Sequence, residues 1–448
     1  MKVEILSREL IKPYTATPPS FRNYRLSLMD ELAPNMNAPT MYYYSAPDQD
    51  TSNDTTLRFK HLKNSLSKAL SSFYPFAGRY RIDTHSVDCG DQGAEFVQAK
   101  VDIRLDDLVS QRMNVKAELL NDLVPCPMGA IDGYDDPLLA VQVNAFSCGG
   151  FAITVCTSHR IADMQSVMSF VSAWAISTKQ ELGYVDENYQ PILPNFDSGS
   201  LFPGKMLPCI PAGLGREKEN FELYKIVTKM FYFDRSKISS IRERARLDDS
   251  SLLPSKVQSI SGLIGKAIID VHVANPENPN TYTIIQAVNI RKRTVPPLPD
   301  NQFGNLYILS SFQSAVGPER VASLATLVNY LSKSVKGVVD ACATVLSPGK
   351  ESQTMISHGV YELMNSLSDP NMFLAASISS WSKFPYYDLA DFGWGKPVWF
   401  GVPNIPMKNN VLLIDDKAGE GIEAWVSLDE NDMKKFIQHS DIADVICA

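Results

Sequence analysis

No window of this chain is apolar over the roughly 20 residues that a membrane-crossing helix needs. The first residues carry Lys2, Glu4 and Arg8 where a secretory leader would need an unbroken apolar run, so neither a membrane span nor a cleaved signal is expected and the chain reads as cytoplasmic. Sustained Lys/Arg blocks are missing too, and the formal net charge is -8. Binding along a phosphate backbone needs clustered cations to displace counterions, which argues against a nucleic-acid partner. Cysteine is sparse: seven residues, at 89, 126, 148, 156, 209, 342 and 447, an odd number without a Cys-x-x-Cys pair. That excludes a zinc knuckle or a dithiol redox centre, and the thiols are expected to be reduced and mostly buried. The common nucleotide and nucleophile loops are absent as well. Gly262-Leu263-Ile264-Gly265-Lys266 lacks the spacing of a P-loop, and there is neither a Gly-x-Gly-x-x-Gly fingerprint nor a Gly-x-Ser-x-Gly elbow.

What remains is a chain of 448 residues, 44% hydrophobic and 21% charged, with the composition of a globular protein and the length of two or three domains. Residues 9–46 are rich in turn formers and aromatics. Leu62, Leu66, Leu70 and Phe73 recur at helical spacing until Pro75 and Gly78 stop them, and a strand follows from Tyr80. Alternation over 141–145 predicts a half-buried strand, Cys148-Gly149-Gly150 a turn, and 151–157 a second strand. Beyond Asp163, Val167, Phe170, Val171 and Trp174 make an apolar helical stripe.

Residues 186–220 are irregular and proline-rich, the best candidate for a crossover between a first domain over 1–185 and a second over 221–448. In the second, strands are expected at 229–233, 282–290, 306–312, 411–414 and 423–428. Helices are expected after Asp234 or Ser236, along Val257 to Ile264, along Leu324 to Val335, and around Met433 to Ile437. Strands and helices mix without strict alternation, so the fold class is α+β.

The most informative stretch is Ser158-His159-Arg160-Ile161-Ala162-Asp163, a histidine and a carboxylate where a strand gives way to a helix. Imidazole titrates near neutral pH and can serve as a base, and a strand-to-helix junction can project it while both flanks stay anchored. On spacing alone His-x-x-x-Asp is weak: chance supplies it often, and a lone histidine is more commonly structural. The pair could share a helical face as metal ligands, but no further His or Cys stands nearby, so no metal is expected. The Asp391-Phe392-Gly393-Trp394-Gly395 cluster reads as a packed structural loop, with glycines for unusual backbone angles and aromatics for burial.

Taken together, Tyr74-Pro75-Phe76-Ala77-Gly78-Arg79, His159-x-x-x-Asp163, Asn289-Ile290-Arg291-Lys292-Arg293 with Phe303-Gly304-Asn305, and Asp391 to Gly395 occur in the order found in the plant BAHD acyltransferases, which this chain resembles. Ile5 to Pro13, Asn195-Phe196-Asp197 and Gln286 to Asn289 are similar to the branch that acetylates alkaloid alcohols. The resemblance implies two chloramphenicol-acetyltransferase-like domains joined by a long crossover, with a channel between them that His159 faces. It implies acyl-coenzyme A, most simply acetyl-coenzyme A, as co-substrate, no bound cofactor, a small-molecule alcohol as acceptor and a monomer. Asp163 would turn from the chemistry to pair with Arg291, fixing the loop that carries His159. Ser379 and Trp381 would lie near the oxyanion, and the Asp391 to Gly395 loop away from the chemistry. Met164, Lys383, Gly265 and the extra residue Ala390 depart from the family pattern, which keeps open a binding protein that has lost turnover, as well as a longer acyl donor or an amine acceptor. A peptide-bond-forming condensation domain would want a second histidine where Ser158 stands.

Overall fold

The computed structural model describes all residues except 47–54, 113–114, 130–132, 190, 209, 212–224, 248–251, 276, 316–321, 345–349 and 447–448. The chain forms two units, each a sheet with helices. The first comprises Met1–Ala212, Pro299–Leu306 and Phe384–Asn404; the second comprises Gly213–Leu298, Tyr307–Lys383 and Ile405–Ala448.

The sheet of the first unit has six strands in the order Val3–Ile11, Ala94–Val101, Leu139–Phe146, Phe151–Ser158, Asn37–Tyr44 and Trp399–Gly401. The expected hairpin spans Leu139–Phe146 and Phe151–Ser158, and its turn needs glycine, since Gly149 has φ +85°. These strands are not half-buried: all eight residues of Phe151–Ser158 are buried, because the polar face that alternation would have left wet is covered by the Ala117–Leu123 turn, where Asp122 O accepts from Gln142 and Leu123 O from Asn144 and Thr154. Asn37–Tyr44, read from sequence as turn-rich, is an interior strand. Tyr42, Tyr43 and Tyr44 are each buried, and Tyr43 stacks on Trp399 at 4.6 Å. Gly78 lets the Tyr74–Ala77 turn close on its neighbour, for a Cβ there would stand 2.7 Å from the Asp88 carbonyl oxygen.

Asp391 to Gly395 belongs to this first unit, not to the second as the linear division expects, because Trp399–Gly401 pairs with Asn37–Tyr44 and brings the preceding loop with it. Phe392 is buried edge-on to Trp174 at 4.8 Å, Trp394 meets Phe151 at 5.5 Å, and Gly393 and Gly395 have φ of +97° and +94°. The Ala390 carbonyl accepts from the Tyr44 hydroxyl at 2.7 Å, so the extra residue is absorbed into the packing. Part of the predicted crossover, at 190, 209 and 212–220, lies outside the described residues.

The second unit has its own six-stranded sheet, in the order Ile226–Phe233, Ile422–Asp429, Asn410–Asp415, Met372–Ser380, Thr281–Asn289 and Tyr307–Ala315. Helices Arg235–Arg244, Lys256–Val273 and Leu324–Cys342 pack Ile241, Leu263, Ile264, Leu327 and Leu331 into its core. Asp234, of the two candidates, caps the first of them, accepting from Lys237 N at 2.8 Å. Gly265 sits where the Lys256–Val273 helix meets the sheet. A Cβ there would come within 2.7 Å of Ile284 Cδ1, so a larger residue would require the end of the Ile284 side chain to turn aside.

The expectation that the cysteines are reduced is corrected at one pair: Cys126 and Cys156 form a disulfide. Leu123 O accepts from Asn144 Nδ2 at 2.9 Å and Thr154 Oγ1 at 2.7 Å, which pins the segment leading to Cys126 against the strand that carries Cys156. Nothing in the 30-residue spacing announces that contact.

Candidate active site

His159 follows directly on the strand Phe151–Ser158. Ser158 N donates to Leu138 O at 2.9 Å and His159 N to Met36 O at 2.8 Å, so the backbone at the junction is tied on both sides. Asp163 is the N-cap of Met164–Glu181: extended at φ -87° and ψ 176°, it accepts from Ser166 N at 3.0 Å. His159 and Asp163 therefore do not share a helical face. The Asp163 oxygens meet N–H donors, Oδ1 from Ser166 and Oδ2 from Leu306 N at 3.0 Å. Met164 opens the helix without a positive φ, so the backbone does not call for a glycine there.

The loop Pro299–Leu306 supplies the histidine's neighbour. Phe303 anchors it among Phe76, Phe196 and Tyr24, with ring centroids 5.1 to 6.2 Å away, and its carbonyl accepts from the Ser198 hydroxyl. Gly304 has φ +126° and Ser166 Oγ bridges it, accepting from its N at 3.1 Å and lying 3.0 Å from its O. Asn305 then stands with Oδ1 3.0 Å from His159 Nδ1 and Nδ2 donating to His159 O at 2.8 Å. Behind it, Asp30 Oδ1 accepts from Asn305 N at 2.8 Å and Nδ2 at 2.9 Å, and Asp30 Oδ2 accepts from Ser27 N at 3.0 Å and Ser27 Oγ at 2.6 Å. Sequence reading noticed Asn305 only as part of a motif and missed Asp30. The one local signal for Asp30 is the capping box it forms with Ser27 at the start of Leu28–Glu31.

His159 is half-buried. Burial holds its pKa below the ordinary imidazole value, opposed by a hydrogen bond to its own main chain, the Asp163 charge and the Asn305 side chain, so the neutral ring is favoured. Asp30, 2% exposed, is pushed up to about 6 by burial, against its hydrogen bonds to Ser27 and Asn305.

The remaining expected residues lie in the second unit. Arg291, fully buried, opens the turn Arg291–Arg293, its N bonded to Asn289 Oδ1 at 3.0 Å. Ser379 is partly buried near the end of Met372–Ser380. The Trp381 main-chain N–H donates to Leu413 O at 2.8 Å, so that group cannot serve as an oxyanion donor. Lys383 takes φ +73°, and its N donates to Asp415 Oδ2 at 2.9 Å.

A histidine held neutral at a strand end is a group able to take a proton from a substrate. A family model described as the Transferase family matches residues 1–442. Stemmadenine O-acetyltransferase of Catharanthus roseus is 36% identical over 96% of this chain and 95% of its own. A malonyltransferase of Salvia splendens, which acts on a pelargonidin 3-O-(6-caffeoylglucoside) 5-O-(6-O-malonylglucoside), is 33% identical over 99% of both. Vinorine synthase of Rauvolfia serpentina is 35% identical over 96% of this chain and 95% of its own. Its crystal structure matches with TM-score 0.80 and 32% identity, covering 99% of this chain and 98% of that one. The chain belongs to the BAHD acyltransferase family and is an acyltransferase of groups other than amino-acyl groups. Among the described residues no helix is long and apolar enough to cross a membrane.

Proposed function

We propose that this enzyme transfers an acetyl group from acetyl-coenzyme A to a hydroxyl of a small plant metabolite of the alkaloid kind, with His159 as the general base. The observation that carries the reading is His159 itself: anchored on both backbone sides, kept neutral by burial, with Nδ1 turned to Asn305 Oδ1, which places the neutral ring's lone pair on Nε2. An alcohol is a poor nucleophile at neutral pH, so its proton must leave as the new C–O bond forms. His159 Nε2 takes that proton while the hydroxyl oxygen attacks the thioester carbon. The oxyanion collapses, the C–S bond breaks, and the imidazolium returns the proton to the departing thiolate. The products are the ester and coenzyme A, without an acyl-enzyme.

Two expectations from the resemblance remain part of this proposal: Arg291 as the partner of Asp163, and Ser379 together with the Trp381 indole, rather than its main chain, near the oxyanion. Donors of that kind are worth about 3 kcal/mol each. The Asp391 to Gly395 loop is given a structural role, supported by the burial of Phe392 and the positive φ of both glycines.

Acetyl transfer to an alkaloid alcohol is supported by the stemmadenine acetyltransferase and vinorine synthase similarities. The Salvia malonyltransferase, alike over nearly the whole chain, favours a second reading with malonyl-coenzyme A and a glycoside acceptor. Competing the two thioesters against alkaloid alcohols and flavonoid glycosides, with release of free thiol as readout, decides between them. Faster acceptor-dependent release from acetyl-coenzyme A with an alkaloid alcohol is expected. Preference for the malonyl donor with a glycoside would replace the first reading by the second.

A further inference from the structure

We infer that Asn305 and Asp30 are positioning residues that lock the catalytic imidazole in the tautomer protonated on Nδ1, so that Nε2 presents its lone pair to the acceptor hydroxyl. The inference rests on the proposed role of His159 as base and names what makes that role possible.

An amide side chain has one face that only donates and one that only accepts. Three of the four positions around the Asn305 side chain and amide are set by acceptors or by its own main chain: Asp30 Oδ1 at 2.9 Å and His159 O at 2.8 Å both require the NH2 group, and Asp30 Oδ1 also holds Asn305 N at 2.8 Å. Turning the amide over would set its oxygen against a carboxylate and a carbonyl oxygen, three acceptors with no proton among them. Oδ1 is therefore left facing His159 Nδ1 at 3.0 Å, and an oxygen that only accepts needs a protonated nitrogen opposite it.

Asp30 is in turn fixed. Its second oxygen accepts from Ser27 N at 3.0 Å and Ser27 Oγ at 2.6 Å, and its own N–H donates to Ser27 Oγ at 3.1 Å, a capping box closed in a buried setting. A carboxylate buried to 2% exposure and given four donors is an expensive arrangement if it serves only a four-residue helix. Its charge also orients the amide that orients the histidine. Gly304, at φ +126°, and the Ser166 hydroxyl that bridges it deliver Asn305 to this place, and Ser166 is itself bound by Asp163. The motif aspartate and the loop of Asn305 thus meet through Ser166 and through Leu306 N, and His159 is held from both sides.

The test reads the tautomer directly. In the enzyme labelled with nitrogen-15 in histidine, at a pH where the ring is neutral and with no substrate present, His159 is expected to show a protonated Nδ1 and an unprotonated Nε2. Asn305→Ala should shift the ring toward the Nε2-protonated form that free imidazole side chains prefer, and kcat should fall by about 10- to 100-fold with KM little changed. Asp30→Asn, nearly isosteric, lets the Asn305 amide turn either way and should give a mixture of the two forms. A wild-type spectrum with Nε2 protonated, or an Asn305→Ala spectrum unchanged from wild type, would overturn the inference; if that variant does not fold, the wild-type and Asp30→Asn spectra decide. The base assignment is read separately, from His159→Ala turnover, so a locked ring in an enzyme that does not need it would sink that assignment and leave the tautomer lock standing.

Discussion

At the scale of single residues, two buried groups give pH signatures of opposite sense. For His159, desolvation lowers the pKa, so kcat/KM should fall only as the pH drops below the ordinary imidazole range. Removing the Asp163 charge or the Asn305 acceptor takes away groups that raise that pKa, and the acid limb should move to still lower pH in Asp163→Asn and Asn305→Ala. A limb that stays in place would show that neither group is coupled to the base. Asp30 affects stability instead. Its carboxyl is raised from 3.8 to about 6, so between those values the unfolded chain holds fewer protons and stability falls as the pH rises through the window. A shift of that size amounts to about 3 kcal/mol, to be read as the difference between wild type and Asp30→Asn in urea unfolding at pH 4 and pH 7. A difference that does not change with pH would contradict it. His159 and Asp163 were legible from sequence because they lie four apart around a strand-to-helix change. Asn305 and Asp30 were not: Asn305 stands 146 residues from His159 and 275 residues from Asp30, and only the chain's path joins them.

At the scale of elements, the junction depends on two local devices. Asp163 caps an 18-residue helix and also accepts from Leu306 N, so Asp163→Ala should cost about 2 to 4 kcal/mol, a lost cap plus a stranded buried donor, measured by denaturant unfolding. A loss under 1 kcal/mol would mean that water replaces both bonds. Gly304→Ala places a side chain at φ +126° and 3.3 Å from Ser198 Oγ, and should cost about 1 to 3 kcal/mol while displacing Asn305, so that activity falls further than stability. The helices and strands with clear periodicity or caps were legible, while Val3–Ile11, Ala94–Val101 and Lys350–Leu367 were not read. Two further misses have physical reasons. Asn37–Tyr44 breaks alternation with three successive tyrosines because both its faces are covered, and Met372–Ser380 lacks it because it is an interior strand paired in parallel on both sides.

At the scale of the whole molecule, the α+β class and the presence of two units followed from patterning, but the path of the chain did not. Residues 299–306 and 384–404 lie far along the sequence, yet they join the first unit, through the Asn195 and Ser198 contacts of Phe303 and through the pairing of Trp399–Gly401 with Asn37–Tyr44. Short segments of this kind carry little patterning of their own, and one of them delivers Asn305. Acceptor identity is equally illegible, since it depends on pocket shape rather than on motif spacing. The decisive measurement is acceptor-dependent release of free thiol from acetyl-coenzyme A by the wild-type enzyme and by His159→Ala, with both shown to be folded. The wild type should release thiol only when a suitable alcohol is present, and the variant should be slower by about 10²- to 10⁴-fold. Near-wild-type release by a folded His159→Ala enzyme would contradict the account.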